Sequence, residues 1–122
     1  MSVITTAYSV RLELDMLPPS VNHMYRPTRN GGKALTDEAL TFRGLVAAEL
    51  LGCSIPAVAP LVLNFWFTFP NKRRSDGDNR LKALQDSIAL ALGFDDKRIV
   101  EWHGYTDIGR TPRTLAILEV RG

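Results

Sequence analysis

At 122 residues and a formal net charge of +2, the chain suits one domain around a single buried core. Hydrophobic residues at 45% and charged residues at 23% exclude a disordered or fibrous protein, and so slight a positive charge does not by itself demand a polyanionic partner. A lone cysteine, Cys53, has neither a disulfide partner nor a metal-ligand companion in the chain, which favours a reducing compartment.

The stretch MSVITTAYSV carries no basic segment and no long apolar run before Arg11, so no secretory leader is expected. The most apolar segment, PLVLNFWFTFP, is too short to span a bilayer and is closed by proline at both ends. A soluble, cytoplasmic domain is the expectation.

In chain order, residues 8–15 alternate, with Tyr8, Val10, Leu12 and Leu14 on one side and Ser9, Arg11, Glu13 and Asp15 on the other. That period of two predicts a half-buried strand. The prolines of LPPS stop it, because neither can donate to a strand ladder. VNHMYRPTRNGGK then reads as a polar, basic loop. Thr36 suits a helix N-cap, with Asp37 and Glu38 in the favourable first turn. Phe42, Leu45, Val46, Glu49 and Leu50 mark its mostly apolar stripe, and Gly52 its stop.

A strand follows at 61–69, with Leu61, Leu63, Phe65, Phe67 and Phe69 on one face; it reads as a central strand whose odd face enters the core. From about residue 77 to 92, Leu81, Leu84, Ile88 and Leu92 recur at helical spacing, and Gly93 ends the pattern. Ile99–Asp107 and Thr114–Val120 read as two more strands, joined by the turn-like IGRTPR. The order β-α-β-α-β-β predicts a single α+β domain: one mixed sheet with two helices packed on one face.

Chemistry concentrates in RRSDGDNRLK, residues 73–82, at the junction between the central strand and the second helix. At about 100° per residue, Asp78, Lys82 and Asp86 share one flank of that helix, beside its buried stripe. An ordinary structural role accounts for much of this. Ser75 or Asp76 serves as an N-cap, Asp78 complements the helix dipole, and Asp78 with Lys82 makes a surface ion pair worth about 0.3–0.5 kcal/mol. A calcium loop fails, since its fifth, sixth and twelfth places hold Arg80, Leu81 and Ser87.

A second acidic pair, Asp95 and Asp96, follows Gly93. The helix between the two clusters is about 24 Å long, so they meet only if the chain runs back or another subunit supplies one set. Basic residues flank both: Lys72, Arg73 and Arg74 before the first, Lys97 and Arg98 after the second. Carboxylates that gather a hard divalent cation, ringed by cations that take phosphates, are what phosphodiester hydrolysis requires. His23 and His103 are not spaced as ligands of one metal, and Trp66 and Trp102 read as core or interface residues.

At these residues the chain resembles the RusA family of Holliday-junction resolvases. The motif Asp76-Gly77-Asp78-Asn79-Arg80-Leu81-Lys82 is similar to the family's Asp-x-Asp-Asn-x-x-Lys, and Gly93-Phe94-Asp95-Asp96 with Ile99-Val100 to its downstream block. PPSVNHMYR is similar to its N-terminal Pro-Pro-Ser-x-Asn-x-x-Tyr-Arg, so the matched blocks run from about residue 18 to 102. Two places depart: Ser75 stands where family members carry arginine, and Gly77 where they carry a bulky apolar residue.

The resemblance implies a homodimeric endodeoxyribonuclease that uses Mg²⁺, with Mn²⁺ as a substitute, to resolve four-way DNA junctions in recombination and repair. It implies metal ligation by Asp76, Asp78 and a third carboxylate, Asp96 ahead of Asp95, with Lys82 as a catalytic lysine. DNA contacts are expected from Lys72, Arg73, Arg74 and Asn79, and from Asn22, Tyr25 and Arg26 in the basic loop. The alternatives are a different metal-dependent nuclease for branched DNA and a DNA-binding accessory protein without activity.

Overall fold

The computed structural model describes residues 5–6, 8–71 and 78–121, with backbone alone at 5, 6 and 78. A two-residue strand β1 (Thr5–Thr6) pairs in parallel with β5 (Cys53–Ser54). Strand β2 (Ser9–Leu14) buries Val10, Leu12 and Leu14 and exposes Ser9, Arg11 and Glu13, as its alternation requires. A 3₁₀ turn at Val21–His23 leads into a hairpin of β3 (Tyr25–Pro27) and β4 (Lys33–Leu35), where the sequence suggested only a loop.

Helix α1 (Asp37–Glu49) starts at the expected cap: the Thr36 hydroxyl oxygen accepts from the Ala39 amide at 3.2 Å. Its buried line is Ala39, Phe42 and Val46, continued by Leu50. Leu45 and Glu49, expected on that stripe, face outward. Spacings of three and four centre the stripe between Phe42 and Val46, which leaves Leu45 about 100° away around the helix.

Strand β6 (Leu61–Phe69) buries every odd residue, and α2 (Asp78–Leu92) buries Leu84 and Ile88 with Leu81 and Leu92 partly covered. Gly93 adopts φ of 70°, a left-handed value that glycine takes without strain, and so ends the helix. A 3₁₀ turn at Asp96–Arg98 opens β7 (Ile99–Ile108), and β8 (Arg113–Val120) closes the chain.

The main sheet has the order β2-β8-β6-β7, with β7 parallel to β6 and the other pairs antiparallel. It is the expected mixed sheet, and β6 is its central strand. Although a short segment joins β7 to β8, the two do not pair; β6 lies between them. The unit β6–α2–β7 is a parallel crossover, so α2 must run back along the sheet before β7 can start beside β6.

Both helices cover one face. Phe42, Val46 and Leu50 of the α1 region and Leu84 and Ile88 of α2 pack on Leu12, Phe65, Phe67 and Leu118. Gly104 makes one close approach possible: a Cβ there would sit 2.3 Å from the Phe65 ring, which lies over the β7 backbone. Among the described residues, Thr114 is the one fully buried polar side chain in the sheet; its hydroxyl donates to the Met16 carbonyl at 2.6 Å, so its burial leaves the donor satisfied. Among the described residues the opposite face carries no helix. Trp66 stacks on Tyr105 there, with centroids 5.4 Å apart, among charged neighbours.

Candidate metal and nucleic-acid site

Lys82 projects from α2 with its side chain about half exposed and makes an ion pair with Asp86, one turn on, at 3.1 Å. The hydrogen bond to Asp86 and its negative charge raise the Lys82 pKa above its ordinary value, against a smaller opposing effect of burial. Tyr25 and Asp96 also raise it electrostatically, by smaller amounts. The ammonium is therefore retained throughout the neutral range, and its contribution is lost only as pH rises through the raised pKa.

Asp95 and Asp96 are adjacent but differently engaged. Asp95 accepts from the Lys97 amide at 3.0 Å and caps the 3₁₀ turn. Asp96 reaches α2 instead, accepting from Gln85 Nε2 at 3.3 Å, and Gln85 Oε1 accepts from Trp102 Nε1 at 2.8 Å. Because an indole only donates and a carboxylate only accepts, these two bonds fix which way the Gln85 amide points. Trp102 and Gln85 together orient the Asp96 carboxylate.

Gln85 lies about 10 Å along the helix from Asp78, so the return of the chain brings Asp96 across more than half the expected separation. The N-terminal stretch meets the same helix. Arg80 Nη1 donates to the Pro18 carbonyl at 2.7 Å and its guanidinium lies 5.6 Å from the centre of the Phe69 ring. Segments around residues 18–25, 78–86 and 95–102 thus meet on α2.

Lys72, Arg73, Arg74 and Asp76 lie outside the described residues, as do Ser75 and Gly77, and of Asp78 only the backbone is described. Asn79 is half-buried in the first turn of α2, and Asn22, Tyr25 and Arg26 are exposed. His23 and His103 are exposed and engaged locally, His23 with the Ser20 hydroxyl and His103 with Glu101. Arg98, expected beside Lys97 as a phosphate hand, donates to the Pro56 and Ala59 carbonyls at 2.7 and 3.1 Å. It ties the loop before β6 to the 3₁₀ turn, which engages its Nε and one Nη in the fold.

Sequence reasoning missed Gln85 as a site residue and assigned Trp102 to the core or an interface. A polar residue one turn beyond Lys82, on the same flank as Asp78 and Lys82, was the available signal. Among the described residues no group of three or more His, Cys, Asp or Glu is assembled closely enough to hold a metal. The carboxylates of Asp86 and Asp96, one paired with Lys82 and the other bonded to Gln85, are oxygen donors of the kind a hard divalent cation takes.

Comparison with protein-family models and with curated proteins finds no match for the chain. Among the described residues no helix is long and apolar enough to cross a membrane.

Proposed function

We propose that the chain is a Mg²⁺-dependent endodeoxyribonuclease that resolves four-way DNA junctions as a homodimer. The observation that supports this most is the meeting on α2 of the three sequence-distant blocks that carry the family resemblance. Arg80 holds the Pro18 carbonyl, Tyr25 acts on Lys82, and Gln85 holds Asp96. A purely structural helix start does not require an acidic residue from beyond Gly93 to turn back onto the flank that carries Lys82.

Bound Mg²⁺, held by Asp76, Asp78 and Asp96, would polarise the scissile phosphate and acidify a water. The remaining work falls to the chain. Gln85, anchored by Trp102, keeps the Asp96 carboxylate turned toward α2. Lys82 stays protonated and presents its ammonium to a non-bridging phosphate oxygen, where negative charge grows as the phosphodiester is attacked. Lys72, Arg73 and Arg74 hold the flanking backbone, which makes binding salt-dependent. Two symmetric sites suit paired nicks in opposed strands.

A second reading has its own observation. Lys82 is neutralised by Asp86, and Asp96 is satisfied by Gln85, without any ligand. A DNA-binding accessory protein without activity would show the same bonds.

Incubation of the protein with a synthetic four-way junction and Mg²⁺ separates the two. Symmetric paired cuts are expected, with Asp78→Asn reducing the cutting rate at least about 100-fold while junction affinity changes little. Cutting that ignores branch structure refutes the junction-specific reading. Binding without cutting in Mg²⁺ or Mn²⁺ establishes the accessory reading.

A further inference from the structure

The β3–β4 hairpin carries Arg26, Arg29 and Lys33 and no acidic residue between Tyr25 and Leu35. All three cations are exposed, and among the described residues none of them lies in an ion pair. We infer that this hairpin is a preformed arm that grips the phosphate backbone of a DNA duplex entering the α2 site. The inference rests on the nucleic-acid reading of that site.

Exposed cations on a floppy loop would lose much of their attraction to the entropy of ordering them. This hairpin is tied at both ends. At its tip, the Thr28 amide donates to the Gly32 carbonyl at 3.0 Å, the Gly31 amide to the Thr28 carbonyl at 3.2 Å, and the Gly32 amide to the Thr28 hydroxyl at 3.1 Å. Gly31, with φ of 78°, takes the left-handed conformation that the turn requires. At its base, the Thr36 amide donates to the Met24 carbonyl at 2.9 Å and its hydroxyl to the His23 carbonyl at 2.6 Å, while Met24 is buried. The same threonine caps α1, so the arm is built onto a helix start.

Its position and shape suit a backbone ligand. The 3₁₀ turn at the root of the arm packs against both α2 and β3. Between the arm and Val21 lies a groove of about 350 Å³, lined by Tyr25, Arg26, Pro27, Gly31, Gly32 and Lys33. Cations along its rim and bare glycine backbone on its wall leave room for a phosphodiester to approach. The charged groups on this groove are the cations Arg26 and Lys33, so the contact is to phosphate and carries no base sequence.

The test is fluorescence anisotropy with a labelled four-way junction and a labelled linear duplex, in EDTA, across a salt series. Wild type is compared with the double variant Arg29→Ala/Lys33→Ala and with Arg113→Ala, a cation on the opposite sheet face. Two lost phosphate contacts should flatten the plot of log affinity against log salt by about 1.8, at about 0.9 per contact. The loss should be equal for different duplex sequences, and Arg29→Lys/Lys33→Arg should restore the slope. Arg113→Ala should leave it unchanged.

An unchanged slope in the double variant, with wild type binding and cutting normally, overturns the arm while the nuclease reading stands. The same holds for a loss confined to one base sequence. A flattened slope in a protein that cuts no junction supports the arm and overturns the nuclease reading. Absence of DNA binding by wild type overturns both.

Discussion

On the open face of the sheet, cations are paired: Arg113 lies against Glu13 and 4.0 Å from Asp15, Arg11 is 3.4 Å from Glu13, and Arg121 is 3.9 Å from Glu101. On the hairpin beside α2, Arg26, Arg29 and Lys33 have no carboxylate on their own element. Both sets are exposed, so neither contributes much to stability; exposed pairs are worth about 0–1 kcal/mol. What differs is the field each presents. A phosphate approaching the sheet face meets carboxylates along with every arginine, whereas one approaching the hairpin meets positive charge alone. The two faces therefore differ in the sign of the charge they offer, and the proposed DNA contact falls on the hairpin side.

The largest effect that sharpens this comparison lies in two consecutive residues of β6. Phe67 is fully buried beneath the helices, and Trp66 lies on the open face against Tyr105. Phe67→Ala should cost about 3–5 kcal/mol in urea unfolding, the range for truncating a buried aromatic. Trp66→Ala should cost about 1 kcal/mol, the order of a partly exposed aromatic pair. Equal losses would mean that the open face is covered in solution, and the contrast between the two faces would fail.

A smaller effect compares two amides. Gln85 donates to Asp96 beside Lys82, and Asn64 Nδ2 donates to Glu119 at 3.1 Å on the open face. Under the proposed function, Gln85→Ala should slow junction cutting about 10-fold, the usual cost of losing a residue that orients a ligating carboxylate. Asn64→Ala should leave the rate unchanged. Similar rates for both variants would remove Gln85 from the site.

The smallest effect is a titration. A hydrogen bond from His103, at 2.7 Å, and its charge hold the Glu101 carboxyl below its ordinary 4.5. The lowered value means that the pairing contributes above pH 4.5 and is lost as pH falls through the Glu101 pKa. In His103→Ala the Glu101 pKa should rise toward 4.5, as read from its side-chain carbon shift during an NMR pH titration. No rise would mean that the pair does not persist in solution.

Much of the frame was legible because periodicity reports burial directly. The alternation at Val10, Leu12 and Leu14, the odd face of β6 and the stop at Gly93 followed from spacing alone. Leu45 escaped because an apolar side chain near a stripe reads the same whether or not a neighbour covers it. The hairpin escaped for a different reason. Its three-residue strands are exposed at every position of β3, so no alternation marks them, and its stability comes from Thr28 and Thr36. Lys82 stood out by spacing, whereas Gln85 acquired meaning only once Asp96 and Trp102 arrived beside it.

By itself, the sequence determined the α+β class, the order of the four main-sheet strands and the two helices, the inward residues of β2 and β6, and the grouping of acidic and basic residues at the start of α2. These are local properties, set by side-chain period, caps and chain-stopping residues. Tertiary structure alone decided that β6 separates β7 from β8, that Asp96 and not Asp95 turns toward α2, and that Arg98 is used by backbone carbonyls. It also decided which cations lie beside carboxylates. Each of those outcomes depends on what a side chain meets from a distant part of the chain, and spacing along one segment carries no record of that.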